Sequence, residues 1–319
     1  MAAPRLNGLH HIKLPVRDLD TSLTWYGQVF GAEHLTRFDH YDESGVRYAA
    51  TRPPNPRQHA DRRRTPDPTA RHHNEPRGSL MNDLLATTIK AHGGLERWNQ
   101  LNTVSARLSQ GGALWALKGQ EGVLDGVVVT ASLHDEQVSH RPFGAPDRRS
   151  AFTPGRVAIE TDDGTVLESL DQPRASFAEH TAETPWSTLQ LAYFAGAAMW
   201  TYLTQPFSFT LPGFRMTELD PWEEAGQQWR RLRVGWPSSL ATHSTEQALY
   251  FSPDGLLVRH DYDVEISGGA TAAHYLSDYV DVDGIMVATK HRILPRMPDG
   301  LSLAEPLIAS IDLSEIAFT

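Results

Sequence analysis

Apolar residues are distributed unevenly along this chain, and their pattern first of all divides it. The segment "RPPNPRQHADRRRTPDPTARHHNEPRGS", from Arg52 to Ser79, contains no Val, Ile, Leu, Met, Phe, Tyr or Trp. Such a stretch has no apolar surface whose burial could offset the entropy of ordering it, which predicts a disordered linker over residues 52–80. Its "RRR" and "RHH" runs are read as a solvated tether. On either side lie a small unit, residues 1–51, and a large one, residues 81–319.

In the small unit "LHHIKLPV" has the pattern of a strand. Asp18 can cap a helix whose apolar face is Leu23, Tyr26 and Phe30, with Gly31 as its stop. The stretches "HLTRFDHY" and "VRYAAT" follow as strands around the turn "DESG". The large unit opens with a helix, "MNDLLATTIKAH", ended by Gly93–Gly94, and a second short helix, "LERWNQL". Mostly strand sequence follows, in runs broken by acidic-Gly turns: "VAIETDDGTVLES", "LYFSPDGLLVRHDY", "YVDVDGIMVATKHRIL" and "RILPRMPDGLSL". Consecutive hairpins predict an antiparallel meander in an α+β protein rather than βαβ units. One long apolar helix, roughly "WSTLQLAYFAGAAMWTYLTQ", interrupts it, with Thr184 and Pro185 suited to its first turn.

Composition narrows the function. A formal net charge of -10 over 319 residues argues against nucleic acid, whose phosphates need a basic face. There is no cysteine, which excludes disulfides and thiolate metal sites. "MAAPRLNGLHHIKL" lacks an apolar run of signal-peptide length, and "LAYFAGAAMWTYL" is too short to cross a bilayer. These features lead us to expect a cytoplasmic protein, with homo-oligomerisation open. Met81, directly after the linker, raises the alternative that translation starts there and that residues 1–80 are a remnant of a neighbouring gene.

The opening "HHIKLPVRD", the helix "SLTWYGQVFG" and the strand after it resemble the vicinal oxygen chelate family of glyoxalase, bleomycin-resistance and dioxygenase proteins, over about the first 50 residues. The resemblance implies a βαβββ module used twice, the pair forming a cup around a divalent metal. His11 stands where the first strand commonly supplies a ligand. The last strand of the module, which usually supplies a second ligand, is replaced here by the linker. No second copy of the pattern occurs downstream. One histidine does not make a catalytic site of about three protein ligands. A truncated βαββ unit of this kind is therefore expected to hold no metal alone, its other half coming from a partner chain or having been lost.

The large unit, through "AHGGLERWNQLNTV", "YFSPDGLLVRHDYDV", "YLSDYVDVDGIMVATKHRI" and "ASIDLSEIAF", resembles LolA-like lipoprotein-carrier half-barrels. That resemblance implies a curled antiparallel sheet cupping apolar helices, with an apolar ligand between them. The carriers are exported, so lipoprotein transport itself does not carry over to a chain without an export signal.

Within such a cup two sets of residues are candidates. Phe194, Trp200 and Tyr202 on the long helix, with Trp115 in "GGALWALKG", can line a ligand pocket or simply plug the core. Strand alternation puts His260 and Tyr262 on the apolar face of "VRHDYDVEI", His274 on a face with Asp278, and His291 with Val287 and Ile293. Neighbouring strands of a meander would bring the three histidines together, either as separate buried groups or as acid–base or zinc-binding residues with Asp278. His243 is a weaker addition. The stretches that would mark a P-loop, GxGxxG, GxSxG or HExxH motif are missing. The first hypothesis is binding of an apolar small molecule. Its rivals are His-based or metal-assisted catalysis in the same pocket, and family-type metal chemistry at His11 completed by another chain.

Overall fold

The structure, a computed structural model of the chain, describes residues 33–38, 48–52 and 82–319. The chain divides into two units, Met1–Asn74 and Glu75–Thr319. In the first, β1 (Glu33–Phe38) and β2 (Tyr48–Arg52) pair antiparallel, as the pattern of the small unit predicts. The expected first strand, the Asp18-capped helix, His11 and the linker lie outside the described residues.

The second unit begins with α1 (Asp83–Ala91), capped by the Asn82 side chain, which accepts from the Leu84 and Leu85 amides. Gly93, at φ +120°, ends it where a Cβ would lie 2.1 Å from the Gly284 carbonyl oxygen, so only glycine lets this turn abut the sheet. A short helix, α2 (Leu95–Trp98), leads into β3 (Thr103–Gly111). A third, α3 (Ala113–Leu117), was not expected from the sequence and interrupts the strands before β4 (Val128–Ser132). Strands β5 (Val138–Arg141), β6 (Arg148–Thr153), β7 (Arg156–Thr161) and β8 (Val166–Asp171) continue the meander. After a crossing segment come β9 (Arg215–Glu224), β10 (Gln227–Gly235), β11 (Glu246–Phe251), β12 (Leu257–Val264), β13 (Ala270–Val282), β14 (Ile285–Pro295) and β15 (Ala309–Phe318).

These form one thirteen-stranded antiparallel sheet in the order β8-β7-β6-β5-β4-β3-β15-β14-β13-β12-β11-β10-β9. Two meanders are therefore joined at the β3–β15 pair, and the two edges are β8 and β9, which follow each other in sequence. The crossing segment carries α4 (Thr188–Thr204). In a flat sheet of thirteen strands the edges would stand roughly 58 Å apart, and seventeen helical residues reach only about 26 Å. Yet α4 packs against β4–β8, while its Tyr202 ring lies against histidines on β12, β13 and β14. The sheet is thus open and curled around the helix.

Fourteen of the seventeen residues of α4 are buried, as an all-round apolar helix should be. Its first turn differs from expectation. The cap is Ser187, in a reciprocal box with Gln190, rather than Thr184 and Pro185. Gly196 sets the approach to β6, because a Cβ there would fall 2.2 Å from the Phe152 ring.

The three acidic-Gly hairpins β7–β8, β11–β12 and β13–β14 form as predicted. The fourth, "RILPRMPDGLSL", does not. Pro295 and Pro298 remove amide donors, and only an isolated Arg296–Ser302 bridge forms. This loop instead lies over the outer face of the sheet, where the Gly300 carbonyl accepts from Arg259. Arg259 is fully buried, bonded to Asp261 at 2.7 Å and Glu224 at 2.6 Å, with Tyr250 and Tyr275 rings 4.8 and 5.3 Å from its guanidinium.

Candidate functional site

Strand alternation on β12 sends Arg259 and Asp261 outward and His260 and Tyr262 inward. Across the β12–β13 ladder His260 is directly opposite His274. On β14 His291 stands opposite Leu276, diagonal to His274. The ring centroids lie 6.1 Å apart for His260–His274 and 5.0 Å for His274–His291, and all three side chains are essentially inaccessible. The three histidines, whose meeting the sequence left open, lie side by side in the structure.

Tyr202 enters this cluster from α4. Its ring centroid is 4.5 Å from His274 and 5.7 Å from His291. Its hydroxyl meets His243 Nε2 at 3.0 Å and the Tyr262 hydroxyl at 2.7 Å, and Tyr262 stacks on His243 at 4.4 Å. His260 Nε2 bonds Gln247 Oε1, and His274 Nε2 meets His291 Nδ1 at 2.9 Å.

Burial disfavours charge on every member. It lowers His243 to about 3, helped by the charge of Arg174, and His260 to about 3, helped by His243. It lowers His291 to about 4 and His274 well below the usual imidazole range. Both phenols are raised for the same reason. At neutral pH the cluster is a set of uncharged, hydrogen-bonding rings.

The other predicted site residues divide. Asp278 does not join the histidines. It takes φ 54°, which reverses the face alternation of β13, so that Tyr279 turns inward while Asp278 is exposed and ion-paired to Lys290 at 2.7 Å. Trp200 is fully buried and donates from Nε1 to the Ser132 carbonyl at 3.0 Å, a core position against β4. Phe194 lies 5.2 Å from the His243 ring and 6.5 Å from Trp115, forming an aromatic chain on the far side of the cluster. Gln247, which holds His260, was not expected. Its signal is a polar residue at the inward position of "EQALYF", two before Leu249.

Beside Tyr202, at the C-terminal end of α4, is a cavity of about 20 Å³. Leu203, Leu257, Leu276, Ile285 and Ala288 give it apolar walls, and Gln205 and His92 a polar edge. Among the described residues no group of three or more His, Cys, Asp or Glu is placed to hold a metal ion, and His11 lies outside them.

Comparison with known proteins gives one family. The model of the Glyoxalase/Bleomycin resistance protein/Dioxygenase superfamily matches residues 8–233, well beyond the 50 or so residues whose motifs suggest it. No curated protein matches the chain significantly. Solved structures similar to it include a DUF1329 family protein from Desulfovibrio piger, at 12% identity over 74% of this chain and 91% of that one, with a TM-score of 0.44. A LolA superfamily protein from Nitrosomonas europaea is similar at 8% identity over 76% and 94%, with a TM-score of 0.43.

Proposed function

The chain belongs to the glyoxalase/bleomycin resistance protein/dioxygenase superfamily, and from that premise we propose that its larger unit binds an apolar small molecule between α4 and strands β12–β14. The metal of that family finds no fitting donor set among the described residues, so the binding is proposed without one. The observation that carries the reading is the cavity beside Tyr202, where apolar side chains of helix and sheet meet a few polar ones, the usual composition of a ligand site. Its Gln205 Nε2 is buried without a partner.

A space of about 20 Å³ holds roughly one water, whereas ligand sites run to hundreds of Å³. A ligand must therefore part the end of α4 from β12–β14. Catalysis by the histidines has weaker support. Burial holds them neutral, and Asp278, the carboxylate meant to assist, is ion-paired at the surface.

Trp98 lines the cavity and stacks on Phe207 at 4.2 Å, so it should report occupancy. Titrating the full chain with 1-decanol should change tryptophan emission saturably at one equivalent. Ala288→Leu, which fills the cavity, should weaken that binding about tenfold, for a cost of about 1–3 kcal/mol in stability. A linear, non-saturating response, or equal affinity in the folded variant, refutes the reading.

A further inference from the structure

Hydrogen-bond partners assign the proton on His260, His274 and His291 of the cluster. Gln247 Nε2 donates to the Ser244 carbonyl at 2.8 Å and to the Thr242 hydroxyl, which fixes its amide so that Oε1 faces His260. An amide oxygen only accepts, so His260 Nε2 carries the hydrogen and its Nδ1 carries a lone pair. On β14 the Ala288 carbonyl accepts from His291 Nε2 at 3.2 Å, which leaves His291 Nδ1 as an acceptor. His274 Nε2 must then donate to it across 2.9 Å, leaving His274 Nδ1 bare in turn.

Both bare nitrogens, His260 Nδ1 and His274 Nδ1, are fully buried and have no partner. Of the twelve buried side-chain polar atoms without a partner among the described residues, these two stand on residues directly opposite in one ladder. Both are acceptors. The Tyr202 and Tyr262 hydroxyls bond each other at 2.7 Å, and Tyr202 also meets His243 Nε2 at 3.0 Å, and neither hydroxyl bonds either bare nitrogen. Arg174, the cation that bears on His243, is paired with Glu265. Tyr202 flanks His274 and lines the cavity, so the pocket and the acceptor pair share a wall.

We propose that the polar end of the apolar ligand is an uncharged hydrogen-bond donor, in the simplest case an alcohol hydroxyl whose single hydrogen is received by Nδ1 of His260 or of His274. This rests on the binding reading above. A carboxylate or phosphate would bring lone pairs against lone pairs with no cation to offset them. An ether would leave both acceptors unpaired. The site therefore selects by proton donation, not by charge.

The test is binding of three ten-carbon probes to the full chain at neutral pH: 1-decanol, 1-methoxydecane and decanoate. The alcohol should bind about tenfold more tightly than the other two, the strength of a buried hydrogen bond whose loss strands an acceptor. In one of His260→Phe and His274→Phe the alcohol-to-ether ratio should fall below about threefold while ether affinity is kept. Nitrogen NMR of the unmutated protein provides a readout that needs no variant. It should show unprotonated Nδ1 on both residues, one of them shifting on addition of alcohol and neither on addition of ether. Equal saturable binding of alcohol and ether, with the Nδ1 signals unmoved, overturns the proposal and leaves apolar binding standing, the nitrogens then holding a permanent water. Tighter binding of decanoate, protonated Nδ1 atoms, or a stoichiometric metal lost in both variants also overturns it. If none of the probes saturates, the binding reading itself falls.

Discussion

Over β4–β8 the helix α4 lies so close to the sheet that a methyl on Gly196 would enter the Phe152 ring, and its contacts are apolar: Trp200, Tyr193, Leu191. Over β12–β14 the same helix meets the sheet through the ring of Tyr202, and the space beneath it is filled by four histidines, a second tyrosine and a glutamine. One curled sheet thus has a mostly dry half, in which His140 bonds Ser150 at 3.2 Å, and a polar half, both sealed from solvent. The dry half can be stabilised by close packing alone. The polar half depends on every ring finding its partner, since an unpaired group in such a setting is costly. Unpartnered buried atoms occur in both halves, His140 Nε2 in the first among them, but among the described residues only in the second do two acceptors stand opposite each other in one ladder.

Acid should separate the halves most strongly. In the polar half His243, His260 and His291 have folded values of about 3 to 4 against an ordinary 6.5, each lowered by burial. In the dry half only His140 is lowered in this way, to about 4, and His92 at the end of α1 is lowered by burial to about 4 as well. The unfolded chain therefore takes up protons below pH 6.5 that the folded one refuses. Stability is complete above that pH and is lost as the pH falls toward 4, by about 1.4 kcal/mol per unit for each histidine. Glu136, raised by burial to about 8, works in the opposite sense as a single group. Urea unfolding at pH 7.5 and pH 5 should differ by several kcal/mol. Equal stability at the two values would mean that the polar half is hydrated and the comparison is wrong.

The dry half should fail by truncation instead. Trp200→Ala should cost about 3–5 kcal/mol at any pH while leaving decanol affinity of the folded fraction unchanged, as thermal unfolding beside fluorescence titration can show. Loss of binding without loss of stability would move the ligand to that side of the helix. The smallest effect should come from Tyr202→Phe. Removing the hydroxyl frees His243 and Tyr262 from one bond each, at about 1 kcal/mol. Its ring, the shared wall of cavity and cluster, is retained, so the pH slope of unfolding should remain.

Much of the scaffold was legible in both halves. Acidic-Gly turns announced three hairpins, and the unbroken apolar run announced α4. In the polar half, period-two alternation correctly placed His260 and Tyr262 on one face because the irregularity of β12 falls at Val258, before them, and residues 259–264 pair with β13 in unbroken register. It failed for Asp278, where a single residue at positive φ turned the strand over, a backbone choice that the pattern does not encode. The loop 296–302 read as a hairpin because prolines were weighed less than "PDG". Arg259, Asp261 and Glu224 read as ordinary polar positions because nothing local shows that a distant loop and two aromatic rings enclose them. The seam between β3 and β15 joins the ends of the unit, beyond the range of any local signal.

That seam also has a consequence in time. The Thr103 and Thr319 hydroxyls meet across 216 residues, and the neighbouring ladder is comparably non-local. Each meander on its own consists of contacts between sequence neighbours and can zip as it emerges, but the pair that welds them closes a loop nearly as long as the unit. Closing a long loop must be paid in chain entropy before the contacts return it, which makes such steps slow. On the ribosome, the dry and polar halves would therefore wait as two separate sheets, each with a naked inner edge, until β15 has emerged to join them.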